Sequence, residues 1–120
     1  MARSHSSSVI CSNGFIWLDG AQTNNDFSNS VAEFLGSAQA TPRLAPCWRD
    51  FNPAASGSDD VYLNTFSDRA VITWHNVVRF SGTQPMTVQC QMLSNGSFYF
   101  FYDGNIDSTG GTFAEGRSLI

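Results

Sequence analysis

Residues 87–102 read Thr-Val-Gln-Cys-Gln-Met-Leu-Ser-Asn-Gly-Ser-Phe-Tyr-Phe-Phe-Tyr. Two β-rich runs flank Asn95-Gly96, the dipeptide that best tolerates the positive φ angles of a tight hairpin turn. The stretch therefore predicts two antiparallel strands. Alternation along the second run puts Tyr99 and Phe101 on one face and Phe98, Phe100 and Tyr102 on the other. Aromatic side chains on both faces imply that both faces touch something: a second sheet, or another subunit.

Outward from this hairpin the chain continues to read as strands. Residues 70–78 alternate Ala70, Ile72 and Trp74 with Val71, Thr73 and His75, and residues 61–66 form another run before a Ser67-Asp68 turn. Residues 9–18 predict two short strands around Asn13-Gly14. Residues 19–30, 37–46, 54–60 and 81–85 read as loops, with Pro42, Pro46 and Pro85 inside them and Pro53 just before the third. Ser30 with Glu33 fits a capping box and Gly36 a helix stop, which predicts a helix of one or two turns over 31–35. Many short strands at even spacing predict an all-β, antiparallel β-sandwich with one short helix. Residues 1–8 are a polar, Ser-rich arm. Residues 9–120 are expected to be one domain lacking a closing strand, because 117–120 begins a strand that stops at once.

Composition narrows the partners. The chain has 120 residues, enough for one domain with a core of its own. Six arginines, no lysine and a net charge of −4 exclude the clustered basic surface that nucleic acid or an anionic membrane requires. Only 13 % of residues are charged, about half the usual share, a pattern common in extracellular and assembled proteins. No run approaches the ~20 apolar residues of a membrane span, and the first eight residues lack the apolar region of a signal peptide.

Candidate chemical sites are sparse. Cys11, Cys47 and Cys90 have no Cys-x-x-Cys spacing and do not fit zinc with His5 and His75. One disulfide with a free thiol and three buried thiols are both open readings. Asp103, Asn105 and Asp107 alternate like the first ligands of a calcium loop. Ser108 and a late Glu115 break the EF-hand pattern, so an Asx-rich turn is the plainer reading. No other cofactor is expected. Asp50, Asn52, Asp59 and Asp60 read as a solvated acidic loop. No serine sits in a nucleophile elbow, and His75 reads as a packing or hydrogen-bonding residue, so no catalytic residue is expected. Asn95-Gly96-Ser97 is a candidate glycosylation sequon that its turn already explains. Trp17, Trp48 and Trp74 read as core, with a glycan-stacking platform as the alternative.

Several segments together carry a resemblance. Ser12-Asn13-Gly14-Phe15 comes first, followed by Pro42-Arg43-Leu44-Ala45-Pro46-Cys47-Trp48-Arg49-Asp50-Phe51-Asn52-Pro53. Val61-Tyr62-Leu63, Val71-Ile72-Thr73-Trp74-His75-Asn76-Val77, Val88-Gln89 and Asn95-Gly96-Ser97-Phe98-Tyr99-Phe100 follow in order. This resembles a group of bacterial secreted β-sandwich domains related to the nidogen-type (NIDO-like) extracellular domain. Arg49 departs from the acid usual at its place, which argues against a metal in that loop. The resemblance implies extracellular or cell-surface, non-enzymatic, structural or adhesive work.

The resulting expectation is a domain that assembles with copies of itself, as in a surface filament. Tyr99, Phe101, Val9, Ile10, Leu119 and Ile120 are its candidate interface residues. The alternative is a monomeric adhesion module that binds a glycan or matrix protein.

Overall fold

The computed structural model describes residues 7–27 and 42–103. Seven strands build two antiparallel sheets: β1 (Val9–Cys11), β2 (Phe15–Trp17) and β3 (Arg43–Leu44) in one, β4 (Val61–Thr65), β5 (Arg69–Val77), β6 (Met86–Leu93) and β7 (Phe98–Tyr102) in the other. Each sheet is ordered as its strands occur in the chain, so every connection within the larger sheet is a hairpin.

The all-β class holds, but the expected helix does not belong to the described fold. Every regular element among the described residues is a strand. The 31–35 segment lies outside them. Its capping signature spanned five residues, too few for propensity alone to specify a helix. The loop expected over 37–46 is also corrected in part: Arg43 and Leu44 pair with Trp17 and Ile16 as the third strand of the small sheet.

The β5–β6–β7 ladder fixes the faces of the large sheet. Val61, Trp74, Val88 and Tyr102 form one row across it, then Leu63, Ile72, Cys90 and Phe100, then Thr65, Ala70, Met92 and Phe98. This inner face packs on the small sheet, where Ile16 and Leu44 join Ile72, Trp74, Val88 and Cys90 in the main core. Trp74 ties the layers directly, its indole N–H donating to the Cys11 carbonyl at 2.9 Å. The Tyr102 hydroxyl likewise reaches the Pro46 carbonyl at 2.6 Å.

The small sheet is buried on both faces. Its far side carries Cys11, Phe15 and Trp17, which pack with Ala45 and Trp48 in a second core. Arg43 lies in that layer, with its guanidinium carbon 4.0 Å from the ring centres of both Trp17 and Trp48. Asp26 closes the sandwich at 3.0 Å, and both side chains are 8 % exposed. The same two indoles pin the loop bearing Asp26: Trp17 donates to the Asn24 carbonyl and Trp48 to the Asp26 carbonyl, each at 2.8 Å.

The hairpin turns use their glycines differently from the sequence expectation. At Asn95-Gly96 only Gly96 has positive φ, at 89°. Leu93 N–H bonds to the Ser97 carbonyl, so the turn is longer than a two-residue one. At Gly14, φ is 76° and an added Cβ would collide with the Cys47 carbonyl oxygen. That close approach lets the 47–51 segment dock on the β1–β2 hairpin. Asn13 completes the joint: its amide donates to the Asn25 carbonyl at 2.7 Å and accepts from the Phe51 N–H at 3.0 Å.

Candidate interaction surface

The outer face of the large sheet is where the structure departs most from an ordinary solvated surface. Two rows cross it: Tyr62, Thr73, Gln89 and Phe101, then Asn64, Val71, Gln91 and Tyr99. Tyr99 is 52 % and Phe101 50 % exposed, their rings side by side at 6.4 Å and tilted 36°. The small sheet covers only the opposite face. Of the two covers considered for Tyr99 and Phe101, a second sheet is therefore not supplied by the described residues.

Between the aromatic borders runs a chain of polar side chains. Arg69 Nη1 donates to Gln91 Oε1 at 2.9 Å, Gln91 Nε2 to Gln89 Oε1 at 2.8 Å, and Gln89 Nε2 to Thr73 Oγ1 at 2.9 Å. Asp68 pairs with Arg69 at 3.0 Å. The Asp68 carboxyl is held below the usual range by its hydrogen bond from that guanidinium.

The edge strands form the sides of this face. In the β6–β7 ladder, Asp103 N–H bonds to Thr87 O and Leu93 N–H to Ser97 O. Antiparallel alternation then points the backbone groups of Tyr99 and Phe101 into the ladder and those of Phe98 and Phe100 outward. On β4, His75 N–H bonds to Asp60 O and Phe66 N–H to Arg69 O, which turns the groups of Leu63 and Thr65 outward. Among the described residues no strand takes these outward groups.

The other expected sites fall in varied places. Val9 packs against the second core and Ile10 against the main one, while Leu119 and Ile120 lie outside the described residues. Asn95 is exposed at its turn, its side-chain oxygen accepting the Ser97 N–H at 2.9 Å. Of the calcium candidates, Asp103 extends the β7 ladder, and Asn105 and Asp107 lie outside the described residues. Among the described residues no three His, Cys, Asp or Glu side chains gather as a metal site. Nor is any helix of the described residues long and apolar enough to cross a membrane. Trp17, Trp48 and Trp74 are fully buried, so the glycan platform considered for them is not presented to solvent.

The acidic loop resolves into local bonds. Asp59 accepts from the Tyr62 hydroxyl at 2.9 Å and lies 2.7 Å from His75 Nδ1. Those two hydrogen bonds, His75 first, lower the Asp59 carboxyl. The same contact raises the Tyr62 phenol. Asp60 accepts the Val61 N–H instead. Arg49 is buried, with Nη1 3.8 Å from Met86 Sδ.

All three cysteines are free and buried, which settles the open choice in favour of thiols. Burial pushes Cys47 up to about 11 and Cys90 up to about 12. The native protein is therefore expected to resist a thiol-reactive disulfide reagent at pH 8 and to release all three thiols on unfolding. The same shifts make alkali destabilising. The folded state keeps protons that the unfolded chain loses above about pH 8.5, so stability falls from there toward the folded values. Denaturation midpoints at pH 7 and pH 10 check the sign; a higher midpoint at pH 10 would contradict it.

No family model matches the chain, and neither a curated protein nor a solved structure matches it.

Proposed function

We propose that this domain is a non-enzymatic, extracellular or cell-surface structural unit that joins copies of itself through the two edges of its large sheet that no described strand pairs. The observation that carries this reading is β7, Phe98-Tyr-Phe-Phe-Tyr102, an edge strand of five aromatic residues. Edge strands in lone domains are normally blunted by charge, proline or a bulge, because an open row of N–H and C=O groups templates further pairing. Neither β7 nor β4, Val61-Tyr-Leu-Asn-Thr65, carries a charged residue or a proline. The low overall charge and the resemblance to NIDO-like domains support the extracellular setting.

The two edges suit each other. Each strand has five residues. The four strands alternate in direction, so β4 of a second copy set beside β7 continues the antiparallel order. The outward groups belong on both edges to residues of the inner face, Leu63 and Thr65 on one, Phe98 and Phe100 on the other. Pairing thus keeps like faces together. A β7-to-β4 contact is head-to-tail and does not close on two copies, so it propagates into a filament.

Sedimentation velocity over rising concentration tests this. Species heavier than a dimer are expected, and Phe98→Lys, which puts charge on the edge without losing a ladder bond, is expected to return the chain to monomer. Phe98→Pro, which removes one outward N–H at the first position of the strand, gives the same readout by another route. An unchanged chain that stays monomeric throughout would sink the proposal.

A further inference from the structure

We infer that the outer face of the large sheet is a binding site for a neutral, polyhydroxylated ligand of the oligosaccharide class. The face holds an open depression of about 580 Å³, lined by Asn64, Phe66, Arg69, Thr73, Gln89 and Gln91 among others. That volume is within the usual range for a small-ligand site.

Three features choose the chemistry. First, the polar groups are already oriented. The Arg69–Gln91–Gln89–Thr73 chain uses one donor and one acceptor of each glutamine, and an amide offers two donors and two acceptor positions. The remaining donor and acceptor positions belong to side chains that line the depression, and Asn64, exposed in the same lining, adds its own amide. Hydroxyl groups, each both donor and acceptor, are the natural complement. Second, exposed aromatic rings share this face with the polar strip: Phe66 lines the depression, and Tyr62 on β4 and Tyr99 and Phe101 on β7 flank it on the same face beyond its lining. A ring face packs well against the C–H face of a pyranose, while its hydroxyls turn to the amides. Third, the lining charge cancels. Arg69 is paired with Asp68, and no lysine exists in the chain, so a phosphate or sulfate ligand finds no unneutralised cation here.

A peptide is the weaker match. Extended peptides add to a sheet at its edge, through backbone groups. Here the backbone of β5 and β6 is spent on both sides within the sheet, and only side chains face outward. The site therefore stands apart from the edge pairing proposed above, and either can fail without the other. Trp17 and Trp48 take no part in it.

The test is a nuclear magnetic resonance titration of the full chain with neutral hexasaccharides of β-linked glucose, N-acetylglucosamine and xylose. A sulfated oligosaccharide and an extended decapeptide serve as the other arms. Shifts of the Gln89 and Gln91 side-chain amides with at least one neutral sugar are expected. Gln91→Ala and Tyr99→Ala, each verified as folded by its spectrum, are expected to weaken that binding about tenfold or more. Phe80→Ala, which alters an exposed ring outside this face, is expected to leave it unchanged. Three outcomes overturn the inference: no neutral sugar moves these signals, only the sulfated sugar or the peptide does, or the affinity survives both Gln91→Ala and Tyr99→Ala.

Discussion

Asp26→Ala is expected to cost the domain about 3–5 kcal/mol of unfolding free energy, the usual penalty for stranding one partner of a buried ion pair. The Arg43 guanidinium lies between two indoles and is 8 % exposed, so water cannot replace the lost carboxylate. Nη2 of Arg43 already has no hydrogen-bond partner among the described residues. The ring faces alone supply about 2 kcal/mol each at best when desolvated. Urea unfolding followed by tryptophan fluorescence measures the loss. The companion variant Asp26→Ala/Arg43→Met removes the charge along with its partner and is expected to regain most of that stability. A single Asp26→Ala loss below about 1 kcal/mol would mean that the indole sandwich satisfies the guanidinium unaided.

Trp74→Ala is expected to be comparably severe, at about 3–5 kcal/mol for a buried tryptophan cut to a methyl group. Trp74 is fully buried, sits mid-row between Val61 and Val88, and is the hydrogen-bonded link from the large sheet to β1. Truncation opens a cavity at the centre of the main core and removes the indole donor from the buried Cys11 carbonyl. Trp74→Phe separates the two effects, because it keeps much of the ring volume while still losing the bond. Its expected cost is smaller, about 1–3 kcal/mol for losing the donor to that buried carbonyl. Equal losses in both variants would assign the whole effect to the bond and none to packing.

What the sequence made legible is what period-two alternation can encode. The inner residues Ala70, Ile72 and Trp74 and the outer residues Val71, Thr73 and His75 separate as their spacing predicts, and so do the two aromatic sets of β7. Strand β3 was hidden because two residues between Pro42 and Pro46 carry no periodicity. Its pairing with β2 is set by tertiary packing. Arg43 was hidden for the same reason: a lone arginine in a proline-rich run reads as a solvated charge until Trp17, Trp48 and Asp26 are brought around it. The expected helix rested on local capping residues alone, and the described architecture is carried by strands. The polar chain on the outer face had a signal, Gln89 and Gln91 alternating with Val88 and Cys90. Its meaning needed the register that sets them beside Thr73 and Arg69.

The alternation in β5 and β6 also divides the labour of single strands between two kinds of selection. Ile72, Trp74, Val88 and Cys90 are held by the core, so their replacement is judged by whether the chain folds. Thr73, Gln89 and Gln91, one residue away, touch mostly one another and solvent, so their replacement is judged by what the surface meets. Neighbouring codons thus answer to separate demands, and the outer face can drift toward new partners while the scaffold beneath it stays fixed.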